Sequence, residues 1–266
     1  MMINKLCNYL NLAKEYVRLN MLAQLEYKGA FAAQIIGMVI NDGTWLSFWC
    51  LFFSRFPALR GWDVKDVITM WAVAAAGFGL AYGICGNALR LPGLIAKGQL
   101  DAWMLYPPAL LPHLLFGKMV ATCWGDALFG IGIYIIFVRP DIAHLALFLV
   151  LVLSTAILFV GFGILCGSLG FYLGNSQGLS QQWHDATITF STYPATLFDG
   201  SIKLILFTLI PAGFISFCPV EALRQFSWQF TLASFAGAVI FLILGTVIFY
   251  HGLSRYESGN LMEMRG

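Results

Sequence analysis

Apolar runs of about 20 residues, long enough to cross a bilayer as helix, recur along the chain between short polar breaks. They predict membrane spans at Gly29–Phe53, Val67–Leu89, Leu114–Val138, Ile142 to about Leu173, and Phe230–Tyr250. The stretch from Trp183 to Phe217 is less regular, because Pro194, Asp199-Gly200 and Pro211 interrupt it. A fifth span from about Gly178 to Phe198, followed by a re-entrant pair of short helices over about 199–217, fits this stretch. A fifth span at Ser201–Phe217 is the alternative. Irregular backbone at membrane depth survives only where protein covers it or a wet cavity receives it. The pattern therefore predicts an all-α polytopic membrane protein with six transmembrane helices.

The N-terminal segment, residues 1–28, has a different period. Leu6, Tyr9, Leu10, Ala13, Tyr16, Val17 and Met21 recur at steps of three and four, with Asn8, Asn11, Lys14, Glu15 and Arg18 opposite them. This predicts an amphipathic helix lying in the membrane interface, ahead of a transmembrane domain over 29–266. Glycine stripes mark expected helix contacts. Gly79, Gly83 and Gly86 continue Ala72 and Ala76 or Ala75 in the second span, and Gly163, Gly167, Gly170 and Gly174 do the same in the fourth.

Composition agrees with this picture. The 266 residues are 59% hydrophobic and only 11% charged, whereas a soluble domain carries roughly a quarter charged residues. A net charge of +2 without basic runs argues against a nucleic-acid partner. Six cysteines stand singly, without metal-ligand spacing, so neither disulfides nor a metal site is expected. The first residues lack the apolar core of a secretory signal and are expected to be retained. Lys5, Lys14, Arg18, Lys28, Arg90, Lys97, Arg255 and Arg265 fall on one side of the predicted spans. Arg55, Arg60, Lys65, Arg139 and Arg224 fall on the other. The bias favours both termini in the cytoplasm.

That orientation puts one polar interruption, Gly93–Pro108, on the cytoplasmic side. Leu94, Ile95, Leu100 and Met104 or Trp103 can form an apolar edge there, while Lys97, Gln99 and Asp101 face water. Pro107, Pro108 and Pro112 prevent a long continuous helix. A short amphipathic helix over about 91–106, held between two spans, is a handle on which a cytoplasmic partner can push.

The run "IAKGQLDAWMLYPPALLPH" resembles a segment of the ABC-2 type permeases, membrane subunits of ATP-binding-cassette exporters. Its matching positions are Ile95, Gly98, Leu100, Asp101, Leu105, Pro107 and Pro108. The run "TYPATLFDGSIKLILFTLIPAGFISFCPVEAL" is similar to the outer Tyr-Pro and late-proline region of that family. Tyr193, Pro194, Leu197, Phe198, Pro211, Ala212, Phe214 and Pro219 carry that match. The resemblance implies a multi-pass protein of a bacterial-type inner membrane. Two permeases pair in it, identical or related, and each receives a separate ATPase subunit. It also implies a coupling helix between spans two and three, with Arg90, Ile95, Lys97, Gly98, Leu100, Asp101 and Trp103 as its ATPase-coupling residues. Gly98 would allow close contact, Lys97 and Asp101 would offer charged contacts, and Leu100 and Trp103 would anchor the helix to the bundle. Tyr193, Phe198 and Phe214 are candidates for the outer part of a transport path.

No GxxxxGK[ST] motif occurs, so no cofactor is expected on this chain. ATP and Mg belong to the expected partner. Asp42 and Asp126 lie in mid-span, where an ionisable side chain costs at least ~2.5 kcal/mol and normally faces protein or water. They are read as a polar lining of the path or a proton site, or else as buried groups bonded to a neighbouring helix or as marks of a span boundary placed elsewhere. Asp199 and Lys203, four apart, are placed to pair on one helical face. His184 and Asp185 are adjacent and diverge on a helix, which argues against a Ser-His-Asp relay and an enzyme. The expected function is the permease subunit of an ATP-driven exporter of an amphipathic, lipid-like or drug-like substrate. An ion-coupled secondary transporter and a membrane scaffold for a soluble partner are the alternatives.

Overall fold

The computed structural model describes residues 2–106 and 109–256, with the side chains of residues 2–8 and 10 outside that description. Pro107, Pro108, Arg265 and the side chains of Lys5, Leu6, Asn8 and Leu10 therefore lie outside the described residues. Among the described residues the fold is helical, with no strand beyond the isolated Leu59–Trp62 bridge.

The helix α1 (Met2–Glu26) leads into α2 (Lys28–Arg55) through Tyr27 alone. A capping box between Asp63 and Asp66 starts α3 (Val64–Ile84), which lies at the centre of the bundle. Two short helices follow, α4 (Asn87–Ala96) and α5 (Leu100–Met104). Next come α6 (Leu110–Phe116) and α7 (Cys123–Ile133), the latter continued by a π turn over Tyr134–Val138. The Asp141 side chain caps α8 (Ile142–Ser168), which runs on into α9 (Gly170–Leu173). Then α10 (Gln177–Ser191), α11 (Ser201–Thr208), α12 (Cys218–Gln225) and α13 (Trp228–Leu253) complete the chain.

Four helices are long and apolar enough to cross a membrane: Lys28–Arg55, Val64–Ile84, Ile142–Leu173 and Trp228–Leu253. They correspond to the first, second, fourth and last predicted spans. The second predicted span, however, stops at Ile84 instead of Leu89, because the chain breaks at Cys85 and Gly86 before α4.

The third predicted span, Leu114–Val138, is not one helix. Residues between Phe116 and Cys123 leave helical hydrogen bonding, and the Val120 amide instead donates to the Tyr82 carbonyl at 3.0 Å. Gly86 makes this possible, since a Cβ there would sit 2.7 Å from the Lys118 carbonyl oxygen.

The fifth predicted span, Gly178–Phe198, is helical only to Ser191, and Pro194 begins a single 3-10 turn. Over the stretch read as a re-entrant pair, α11 is followed by a second limb, Gly213–Gln225, bent 79° from it. That limb runs beyond Phe217, because a π turn over Gly213–Phe217 feeds directly into α12.

Small residues set the helix approaches. A Cβ on Gly79 would overlap the Ala127 amide, and one on Gly130 would lie 2.6 Å from the Ala72 carbonyl, so α3 and α7 touch backbone to backbone. Gly161 does the same between α8 and α13, with the Leu242 amide 2.5 Å from its missing Cβ. Gly163, Gly167 and Gly170 face Tyr82, Leu91 and Ile95, as the stripe predicts, while Gly174 (φ +67°) serves as a turn with open space around it.

On α1, Ala13, Tyr16, Val17 and Met21 are half-buried, and Asn11, Lys14, Glu15 and Arg18 are exposed. The Tyr16 hydroxyl meets His113 Nδ1 at 3.0 Å, and Asn20 donates to the Phe116 carbonyl, fastening α1 to α6.

The opposite end of the bundle is tied by arginines. Arg60 (φ +47°) bonds Asp199 at 2.6 Å and the Thr196 carbonyl, and Arg224 bonds the Gly61 carbonyl and lies 3.7 Å from Asp66. The expected Asp199–Lys203 pair does not form. Asp199 precedes α11 and turns to Arg60, while Lys203 sits over the Phe217 ring. The Asp141 carboxylate, outside the spans, is held below its ordinary range first by the His144 amide and then by the His144 ring.

Candidate functional site

Two places carry the candidate chemistry. The first is a cavity of about 280 Å³ at mid-height in the bundle, between α2, α3, α7, α8 and the end of α10. Asp42 stands at the midpoint of the 28-residue α2, about 21 Å from either end at ~1.5 Å per residue. On α2 the buried positions are Asp42, Leu46, Trp49 and Phe53, one face at helical spacing. Asp126 lies in the first turn of α7. A Cβ on its neighbour Gly125 would fall 2.7 Å from Met38 Cβ and 2.9 Å from the Ile35 carbonyl. That glycine lets α7 press onto α2 and brings the two carboxyl groups side by side in the cavity wall.

Both aspartates are buried, at 6% and 4% exposure. Asn41 donates to Asp42 Oδ1 at 3.4 Å, but no described donor reaches Oδ2 of either residue. Around them stand Trp45, Phe48, Trp49, Trp71, Phe78, Phe159 and Tyr193, with Thr189 and Thr192 as further polar groups. Of the proposed path residues, the structure thus brings Asp42, Asp126 and Tyr193 together. It does not bring in Phe198, which packs on Phe190, or Phe214, which packs on Phe207 and against Gly237. Sequence reading missed the tryptophans. Their signal was the spacing Asp42, Trp45, Trp49, which puts the acid and two indoles on one helical side.

The second place is the α4–α5 unit. The expected single helix over about 91–106 is two helices joined by a sharp turn at Lys97–Gln99. Gly98 adopts φ +66°, its amide bonds the Ile95 carbonyl, and the Gln99 amide bonds the Leu94 carbonyl. This is a Schellman end, which favours glycine because a Cβ is strained there. Close contact with a partner was the role implied by resemblance; the fold gives Gly98 a conformational role of its own. Leu91, Ile95 and Leu100 are buried, whereas Arg90, Lys97, Gln99 and Asp101 are exposed. The Trp103 ring lies across Gly117 and meets His113 edge-on at 5.1 Å, anchoring α5 to α6. All seven expected coupling positions therefore sit in one unit, with its apolar side against the bundle and its charged side outward.

The two places are linked by α10. Its first residue, Gln177, has its side chain 3.5 Å from where a Gly93 Cβ would be. At mid-length His184 is buried against Tyr82, Phe78 and Phe159, and at its end Ile188, Thr189 and Ser191 line the cavity. Asp185 points away and accepts from Gln181 at 2.8 Å, so His184 and Asp185 diverge as expected.

A family model described as ABC-2 family transporter protein matches residues 39–259, which include both places. The chain belongs to that family. An ABC-2 family membrane protein is the permease subunit of an ABC transporter, a transport component that is not itself catalytic. Such subunits work in general with ATP-binding-cassette partners. No curated protein and no solved structure matches the chain. Family membership and the apolar helices together make this ABC-2 protein a multi-pass membrane protein.

Proposed function

We propose that this ABC-2 permease subunit exports an amphipathic, lipid-like or drug-like substrate through the Asp42–Asp126 cavity, driven by a separate ATPase docked on α4–α5. The observation that carries this reading is α10, one rigid helix with one end against α4 and the other in the cavity wall. A push on α4–α5 has a direct mechanical route to the cavity through it, with His184 and Tyr82 keeping it in register.

In this reading α4, α5 and both termini face the cytoplasm of a bacterial-type inner membrane, and α1 lies in the interface. The broken α6–α7 stretch, together with either α10 or the bent α11–α12 pair, completes six crossings. The other member is re-entrant. A second permease, identical or related, covers the outer face of α2, where Ile36, Ile40 and Leu51 are exposed. Arg90, Lys97, Gly98 and Asp101 meet the ATPase, which binds ATP and Mg. Ile95, Leu100 and Trp103 hold the unit to the bundle.

The test is reconstitution of the chain with the ATPase that copurifies with it. Arg90→Glu and Lys97→Glu reverse exposed charges without touching the packing. Substrate-stimulated ATP hydrolysis is expected to fall at least ~10-fold while membrane insertion is retained, about 1.4 kcal/mol of lost coupling. Unchanged stimulation would remove α4–α5 as the coupling unit.

The pairing of Asp42 with Asp126 favours one second reading, an ion-coupled transporter in which the acid pair carries the coupling ion. Proteoliposomes holding the chain alone decide between them. Transport driven by an ion gradient without any ATPase would support the second reading.

A further inference from the structure

We infer that the Asp42–Asp126 cavity is a binding site for a small organic ammonium ion carrying an apolar, preferably aromatic, body. The inference names the substrate class for the permease reading above and rests on it.

The argument starts from the unmet need of the carboxyl groups. Each has a buried Oδ2 that no described N–H or O–H reaches. Among the described residues no lysine, arginine or histidine lines the cavity, so they supply no counter-charge there. A buried carboxylate without a partner is costly at membrane depth, and a second one beside it compounds the cost. Either a shared proton or a bound cation satisfies the pair.

The walls distinguish among cations. No group of three or more His, Cys, Asp or Glu side chains that could hold a metal ion exists among the described residues. The lining instead carries many aromatic rings, among them Trp45, Trp49, Trp71, Phe78, Phe159 and Tyr193. Indole and phenol faces attract a diffuse organic cation and solvate its apolar body, which a hydrated inorganic ion does not exploit. The acids hold the charge, the rings hold the body, and Thr189 and Thr192 offer hydroxyls beside them. The cavity volume lies just below the roughly 300–1,000 Å³ range of small-molecule sites, which suits a one-ring ammonium. Access follows from the rim: Trp45 and Phe48 are half-exposed on the flank of α2 between its outer face and Asp42, so a membrane-dissolved amphiphile meets them first.

The experiment compares two probes of nearly identical shape, benzyltrimethylammonium and its neutral isostere neopentylbenzene, on the purified full-length chain in lipid nanodiscs. Binding is read from tryptophan fluorescence and, independently, by calorimetry, with no ATPase present. Failure of the site and failure of ATP-driven transport are thereby read separately. The ammonium is expected to bind at least ~10-fold more tightly than the neutral probe. Asp126→Asn and Asp42→Asn keep the side-chain shape and are expected to weaken the ammonium ~10-fold each, leaving neopentylbenzene unchanged. Should an Asn variant fail to fold, Trp45→Leu at the exposed rim provides the second arm, with a smaller loss confined to the ammonium. Equal affinity for the two probes, no binding of the ammonium, or ammonium binding indifferent to the Asn or Trp45→Leu variants that fold would overturn the inference. Equal affinity would leave the acids as a pair that holds only a proton.

Discussion

The Tyr256 hydroxyl lies against Asp101, joining the chain just beyond α13 to the short helix α5. Two segments remote in sequence meet at the unit through which the ATPase is proposed to act. Leu253 and Tyr256 pack into the same apolar cluster as Leu100 and Trp103, so the end of α13 and α5 share one core.

Tyr256 gives a pH signature. Burial first, and then the Asp101 carboxylate, push its phenol up to about 12. A group raised in the folded state stabilises below its unfolded value, near 10, and loses that contribution as pH rises through its folded value. Between about pH 10 and 12, thermal stability of the native chain is expected to fall more than that of Tyr256→Phe. Thermal midpoints of the two proteins at pH 9 and pH 11.5 check this, and parallel losses would sink it.

Gly98 is a conformational requirement. Gly98→Ala is expected to cost about 1–2 kcal/mol, since an L-residue is strained at φ +66°. Gly98→Asn should cost less, because asparagine tolerates the left-handed region. Denaturation in a mild detergent series measures the order Gly > Asn > Ala. Equal stability of all three would show that the turn relaxes.

Gly125 sets the approach of the two acids. Gly125→Ala puts a methyl within 3 Å of Met38 and the Ile35 carbonyl and is expected to cost about 1–3 kcal/mol by overpacking. It should also part α2 from α7. Cysteines placed at Gly43 and Phe129, where the Phe129 ring reaches α2, would then be bridged more slowly by a bismaleimide than in the parent.

The Arg60–Asp199 pair has little weight of its own. Its side chains are 53% and 78% exposed, and such pairs contribute about 0.2–1 kcal/mol. A double-mutant cycle on Arg60→Ala and Asp199→Ala should return a coupling within that range that shrinks in high salt. A larger, salt-insensitive value would contradict the exposed-pair reading.

Much of the fold was legible because lipid imposes a local rule. Each spanning helix must be long and apolar on its own, so Lys28–Arg55, Val64–Ile84, Ile142–Leu173 and Trp228–Leu253 announce themselves. The α4–α5 unit was legible for the opposite reason, as the polar stretch between two apolar ones. Its inner break was not, because a lone glycine in "AKGQ" reads equally as a flexible helix position. The interruption between α6 and α7 was hidden too. It depends on the Tyr82 carbonyl and on the space at Gly86, both remote from the residues that leave the helix.

The sequence by itself determined the membrane class, the main helices, the polar unit between the second and third predicted spans, and the family. Only the tertiary structure decided that Asp42 and Asp126 share one aromatic cavity, that Asp199 turns to Arg60 rather than Lys203, and that Tyr256 meets Asp101. The physical reason is range. Periodicity and hydropathy act within one helix, whereas these pairings depend on which small residues let distant helices touch.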